Sequence, residues 1–201
     1  MKRRATVVCL GLWLLGSIWG CGSTPVAPPP AAVFNPPAPP ETSDQARLED
    51  ALTGREMAPA EVADLSDRLL ADGSPAIKDQ KTMARLELLI LKTMKSPDKS
   101  SRSDLWRNLG ILHYHQKKYK QARQELQAAN ELNPKNARTH FYLACLFVHQ
   151  GKIYEQKGKR RVSGQQYKRA AIEMEQARKL DSRNPLYKQD PKQIILQGNG
   201  L

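Results

Sequence analysis

The chain has 201 residues, 40% hydrophobic and 6% aromatic, with a formal net charge of +12 at neutral pH. That length suits one domain with flanking segments, and the positive charge points first to nucleic acid or an anionic membrane surface. Of three cysteines, Cys9 and Cys21 fall in or beside an N-terminal apolar stretch, so the body holds only Cys145 and is not a disulfide scaffold. The chain opens with Lys2, Arg3 and Arg4, followed by sixteen almost wholly apolar residues, 5–20. As a helix these would span roughly 24 Å, short of the ~30 Å hydrocarbon core, which predicts a signal peptide rather than a stable membrane span. Removing this segment lowers the charge to +9, because residues 1–20 contain no Asp or Glu.

The apolar run ends Ile18-Trp19-Gly20-Cys21. This resembles the lipobox of bacterial lipoproteins, in which an aliphatic residue and two usually small ones precede the invariant cysteine; Trp19 is bulkier than is usual there. The resemblance implies cleavage before Cys21, a thioether-linked diacylglycerol on its sulfur, and often acylation of the new amino terminus. Several acyl chains hold where one binds only reversibly. No Asp follows the cysteine to suggest inner-membrane retention, so the expected location is the cell envelope, on the periplasmic face of the outer membrane. Residues 22–42, GSTPVAPPPAAVFNPPAPPET, hold eight of the fourteen prolines and no basic residue. Proline fixes φ and removes a donor, so an extended spacer is expected, reaching roughly 65 Å at ~3.1 Å per residue.

Beyond Thr42 proline thins out and apolar residues recur at helical spacing. Thr42 with Gln45 can form a capping box for a short helix closed by Gly54. Pro59 suits a first helical position, and Val62, Leu65, Leu69 and Leu70 form a stripe ending near Gly73. Ser74-Pro75 opens the next helix, with Met83, Leu86, Ile90 and Met94 on its apolar face; Leu88, Leu89 and Leu91 widen that face and predict burial on two sides. No alternating strand pattern occurs.

Residues 103–136 read SDLWRNLGILHYHQKKYKQARQELQAANELNPKN. Trp106, Leu109, Gly110, Ala122, Leu126, Ala129 and Pro134 fall where the tetratricopeptide repeat, a 34-residue helix–turn–helix unit, carries its characteristic residues, and the segment resembles that family. His113 replaces the usual aromatic of the first helix. One period later Leu143, Ala144 and Phe147 take the corresponding places, with Gly151 at the turn position, and the pattern resumes at Tyr167 with Ala170, Met174 and Ala177. The second unit therefore carries an insertion of about fourteen residues, read as two extra turns on each helix, meeting near Val162-Ser163-Gly164.

Two such units do not bury their own faces, since about three are needed for stability. The helices at about 59–72 and 75–95 are expected to supply a degenerate layer, Ala84, Leu88 and Leu91 echoing the second-helix pattern. The tail from Pro185, with Leu186, Tyr187, Ile194, Ile195 and Leu196, is expected to cap the far end. The expected fold is all-α, an antiparallel helix-pair solenoid preceded by a signal peptide and a Pro-rich linker. Its segments are a signal peptide (1–20), lipidated cysteine and tether (21–42), leading helices (43–102), two repeats (103–185) and a C-terminal cap or tail (186–201).

The resemblance implies a concave groove lined by first helices and taking a peptide or helix from a partner. Its exposed positions would be Arg107, Ile111, Tyr114 and His115, then Arg138, Phe141, Cys145, Val148 and His149. Such a lining suits an apolar or amphipathic segment with an acidic group; the alternative is that another helix of the same chain fills it. In the chaperone-binding subset of the family an asparagine stands where this chain has Ile111 and Cys145, so carboxylate clamping is not expected. The basic hairpin at residues 157–169, with Lys157, Lys159, Arg160 and Arg161, is read either as a solvated face or as a contact for lipid phosphates or an acidic partner.

His113 and His115 point to different helix faces, His140 and His149 are isolated, and no metal-ligand spacing, nucleophile–base set or phosphate loop is present. The expectation is a non-enzymatic binding protein without cofactor or metal, partnered by unidentified envelope proteins and, through its lipid, the membrane. The leading function is a lipid-anchored adaptor in pilus, secretion or outer-membrane assembly. The alternatives are a basic exported nucleic-acid binder, with nucleic acid disfavoured by export, and a structural envelope tether contacting the cell wall.

Overall fold

The computed structural model describes residues 43–97, 101–190 and 192–193. The chain divides after Pro39, and these residues all belong to the second of its two units, Pro40–Leu201. The signal segment, Cys21, the Pro-rich stretch, Thr42 and the tail residues Ile194, Ile195 and Leu196 lie outside the described residues.

Regular structure among the described residues is wholly helical: α1 (Asp44–Thr53), α2 (Pro59–Leu69), α3 (Gln80–Thr93), α4 (Arg102–His115), α5 (Tyr119–Leu132), α6 (Ala137–Gln156) and α7 (Arg160–Leu180). Local chemistry sets the ends. Ser43, one residue beyond the expected cap, accepts from the Ala46 N–H at 3.2 Å, and Gly54, at φ 134°, closes α1. Pro59 begins α2, and the Ala58 N–H donates to Glu61 Oε2 at 2.9 Å. Ser74-Pro75 opens a 3-10 turn, Pro75–Lys78, not α3 itself. Helix α3 starts six residues later, because the Asp79 carboxylate accepts from the Lys81 and Thr82 N–H groups and makes the stronger cap.

Helices α4 and α5 pair antiparallel, as do α6 and α7, with α5 against α6. Helices α2 and α3 form the layer before them, and α1 packs on that pair. The side chains expected to let helices nest are buried: Ala122, Ala144, Ala170 and Ala177 are within 1% of full burial. At Gly110 a Cβ would lie 2.7 Å from Leu126 Cγ and 3.2 Å from the Ala122 carbonyl oxygen, so any side chain there would force the α4–α5 contact to shift.

The insertion in the second unit divides evenly. In the first unit Lys117 takes φ 61° between the helices, and the Lys118 N–H reaches the His113 carbonyl at 2.9 Å. In the second, Gly158 takes φ 70° and the Lys159 N–H reaches the Tyr154 carbonyl at the same distance. The same left-handed turn thus closes both pairs, in the second after seven extra residues on α6 and before seven extra on α7. Seven residues are close to two turns of 3.6, so the packed face of each helix returns to register. The meeting point is Lys157-Gly158-Lys159, correcting the expected Val162-Ser163-Gly164, because Gly158 adopts positive φ freely while Ser163 is buried inside α7. Gly151, where the first unit turns, sits within α6, and its missing side chain admits the Tyr167 ring.

Candidate protein-binding surfaces

The residues expected to line an open groove are, for the most part, interior. Ile111, Phe141, Cys145 and Val148 are fully or almost fully buried, Arg107 is 6% exposed, and Tyr114, His115, Arg138 and His149 are half-buried. The expectation that these nine positions are exposed is corrected for the first five, because the chain supplies its own cover. Helix α2 packs along α4. The Asn108 side chain donates to the Ala63 carbonyl at 3.0 Å. At the end of α2, Asp67 accepts from Arg107 at 2.6 Å through one oxygen and from Arg138 at 3.1 Å through the other. Arg138 also donates to the Leu70 carbonyl, and Tyr142 Oη meets Asp72 Oδ1 at 3.4 Å. From the other end, the turn Pro185–Lys188 lays Tyr187 on Phe141, ring centroids 5.3 Å apart, held by Arg178 donating to the Tyr187 carbonyl. The start of the tail expected to cap the far end thus lies against this face.

The predicted ligand was an apolar segment with an acidic group, and α2 has that chemistry: Val62, Leu65 and Leu69 on one face and Asp67 beside them. An aromatic cluster fills the remainder. Tyr114 lies edge-on to Tyr142 at 5.2 Å and to His115 at 5.5 Å, and Tyr119 covers His149 at 3.9 Å. Burial and the field of Arg138 push His115 down to about 4, so its ring is neutral against Tyr142 Oη at 3.3 Å. Burial and Lys152 likewise lower His149. Burial pushes the Cys145 thiol up to about 12, a packed side chain rather than a nucleophile.

Two histidines behave the opposite way, and sequence reading passed over both. Burial opposes the charge on His113, but hydrogen bonds from Nδ1 to Glu125 at 2.6 Å and from Nε2 to Glu87 at 3.1 Å outweigh it and raise the pKa. Glu87 also accepts from Gln116 and Lys118, so this network ties α3 to the α4–α5 turn. His140 is raised by its bond to Glu173 at 2.7 Å, against burial, with the Pro134 carbonyl at 2.9 Å on its other nitrogen. The departure of His113 from an aromatic was the sequence signal for the first network; the glutamates that complete it stand 26 and 12 residues away.

The open surfaces lie elsewhere. Lys157, Lys159, Arg160 and Arg161 are exposed at the tip of the α6–α7 hairpin, as expected. On α3, Leu88 is 60% exposed and Leu91 42%, with Ala84 also bare, so the expected burial of this helix on two sides is corrected. Met83, Leu86, Leu89 and Ile90 form the buried stripe, and α1, α2 and α4, which pack on α3, leave the other side uncovered. Among the described residues no group of three or more His, Cys, Asp or Glu is arranged to hold a metal, and no helix is long and apolar enough to cross a membrane.

Residues 103–136 match the tetratricopeptide repeat. The matched repeat is α4, α5 and the turn after them. No curated protein matches the chain. The repeat and the all-helical architecture around it support a role in protein–protein interaction, and such a fold typically carries no catalysis.

Proposed function

We propose that this protein is a lipid-anchored adaptor of the bacterial cell envelope, held through Cys21 and presenting a tetratricopeptide-type helical body to envelope proteins in pilus, secretion or outer-membrane assembly. The observation that carries the reading is the matched repeat stacked between two further helix pairs. A rigid stack of this kind offers extended surface and few converging polar groups, which suits recognition of a polypeptide. The apolar segment ending at Ile18-Trp19-Gly20-Cys21 supports the anchor. The periplasmic face of the outer membrane is the location this reading favours.

The concave face contributes rigidity rather than a vacant groove, since Asp67 already pairs with both Arg107 and Arg138. Binding by the nine groove residues would therefore depend on the half-buried Tyr114, His115, Arg138 and His149 at its margin. The exposed cations at the hairpin tip suit the phosphates of an anionic lipid surface. Exchanging Lys159, Arg160 and Arg161 for glutamate should weaken adhesion of the protein to anionic vesicles at least tenfold at low salt; unchanged adhesion would remove that contact.

The adaptor reading is tested in the native cell. Metabolic palmitate labelling should mark the wild-type chain and not Cys21→Ser, and the variant should leave the membrane fraction. Crosslinking should then join the anchored protein to a small, reproducible set of envelope proteins. Recovery with cell-wall fragments and no protein would favour a structural tether, and steeply salt-dependent DNA binding would favour the nucleic-acid alternative.

A further inference from the structure

The bare side of α3 is part of a trough of about 690 Å³ lined by Leu52, Leu88, Leu91, Met94 and Trp106, with Lys92, Lys95 and Arg102 along it. We propose that this trough is a docking site for an acidic amphipathic segment of a partner protein, seated with its apolar side chains on Leu88, Leu91 and Trp106 and its carboxylates on the three cations. The proposal rests on the protein-binding reading and names the surface that performs it.

The apolar part of the case comes from a comparison within the chain. Ala84, Leu88 and Leu91 on α3 repeat the spacing of Ala122, Leu126 and Ala129 on α5. On α5 the three are covered by α4 and its neighbours and are 0–2% exposed; on α3 they face outward. A helix with two apolar stripes and one covered stripe leaves surface that gains free energy when another chain buries it, roughly 25 cal/mol for each Å². The volume falls within the usual range for bound side chains or small ligands, and the concave form suits a polypeptide ridge better than a flat lipid surface.

The polar part fixes the sign of the occupant. Among the described residues the trough is lined by no carboxylate. Lys92 and Lys95 form no ion pair with a described residue, and Arg102 donates to the Met94 carbonyl, which orients it beside the apolar floor. Cations elsewhere on the body are matched from within: Arg85 by Glu49, Arg68 by Asp44 and Asp64, Lys118 by Glu87. An incoming segment with acidic residues flanking an apolar ridge completes the set that Asp67 and α2 complete on the concave face.

Trp13 and Trp19, the only other tryptophans, lie in the segment that the proposed cleavage before Cys21 removes, so the processed chain reports from Trp106 alone. The probe is a synthetic amphipathic helix with leucines on one face and glutamates beside them, compared with the same peptide carrying lysines for the glutamates. The acidic peptide should shift Trp106 emission and bind at least tenfold more tightly than the basic one. Leu88→Glu should reduce its binding at least tenfold without changing helicity or Tm. Equal binding of the two peptides, no binding, or full binding to Leu88→Glu overturns the proposal. A photo-crosslinking residue at position 88 in the native cell should trap another protein through an acidic stretch. Adducts to lipid, to residues 22–42 of the same chain or to a second copy, or no adduct, overturn it. Partner adducts from the hairpin tip but none from position 88 would sink the trough and leave the adaptor reading standing; no partner from either site sinks both.

Discussion

The concave face under α2 and the outer side of α3 have the same chemistry and opposite fates. Both join large apolar side chains to two or three cations. On the concave face α2 brings Val62, Leu65 and Leu69 together with Asp67, so the apolar surface is covered and Arg107 and Arg138 are paired. On α3 no helix among the described residues follows outward, and Leu88, Leu91, Lys92 and Lys95 meet solvent. The difference teaches where to seek a partner in a short helix-pair stack. A terminal layer folds over the face that longer stacks leave open, and its own outer side becomes the unsatisfied one.

Four changes would break or sharpen this comparison. The largest effect is expected at the nesting contact both surfaces depend on. Gly110→Val would drive a β-branched side chain into Leu126 and the Ala122 carbonyl, and should lower unfolding free energy by about 3 kcal/mol in urea titration. A loss below about 1 kcal/mol would mean that α4 and α5 separate easily. Next, Asp67→Ala leaves Arg138 with the Leu70 carbonyl and the Tyr142 ring and Arg107 with Asp104 and Asn108, and should cost about 2 kcal/mol. If stability holds, the concave face is not sealed by that carboxylate.

The third change is pH-dependent. The folded pKa of His113 is raised, so its imidazolium stabilises the fold fully below the unfolded value near 6.5, and this contribution fades as pH rises through the folded value. The lowered pKa of Glu87 keeps its carboxylate available above its ordinary range, and its contribution disappears only as pH falls through the lowered value. The stability difference between wild type and His113→Gln should therefore be larger at pH 6 than at pH 9; a flat difference would show that the histidine acts by packing alone. His115 works the other way, since a ring held neutral down to about 4 costs stability as pH falls from 6.5, but it is common to both proteins and cancels in the difference. The smallest effect is expected at the open surface, where Leu88→Glu should alter unfolding free energy by less than about 0.5 kcal/mol. A larger loss would mean that the leucine is covered after all.

Most helix positions, the matched repeat and the two extra turns on each helix of the second unit were legible in the residues, because small side chains recur at a fixed period and whole turns preserve a helix face; the place where those helices meet was not. Pro59 and Gly54 marked ends through backbone preferences that act locally, whereas the turn at Gly158 was expected five residues later. Five of the nine groove positions were misjudged as exposed, because the residue that pairs with Arg107 and Arg138, Asp67, stands 40 residues before the one and 71 before the other. Likewise the pattern on α3 announced two apolar stripes without telling which one a neighbour covers.

The sequence by itself determined helices, their pairing and the close contact at Gly110, since propensity, spacing and side-chain volume act within a few turns of chain. Only the tertiary structure decided which face was free, since that depends on where α2 and the turn at Tyr187 come to rest. Burial of an apolar stripe lowers free energy wherever cover can be found, and the cover is chosen by the geometry of the whole stack.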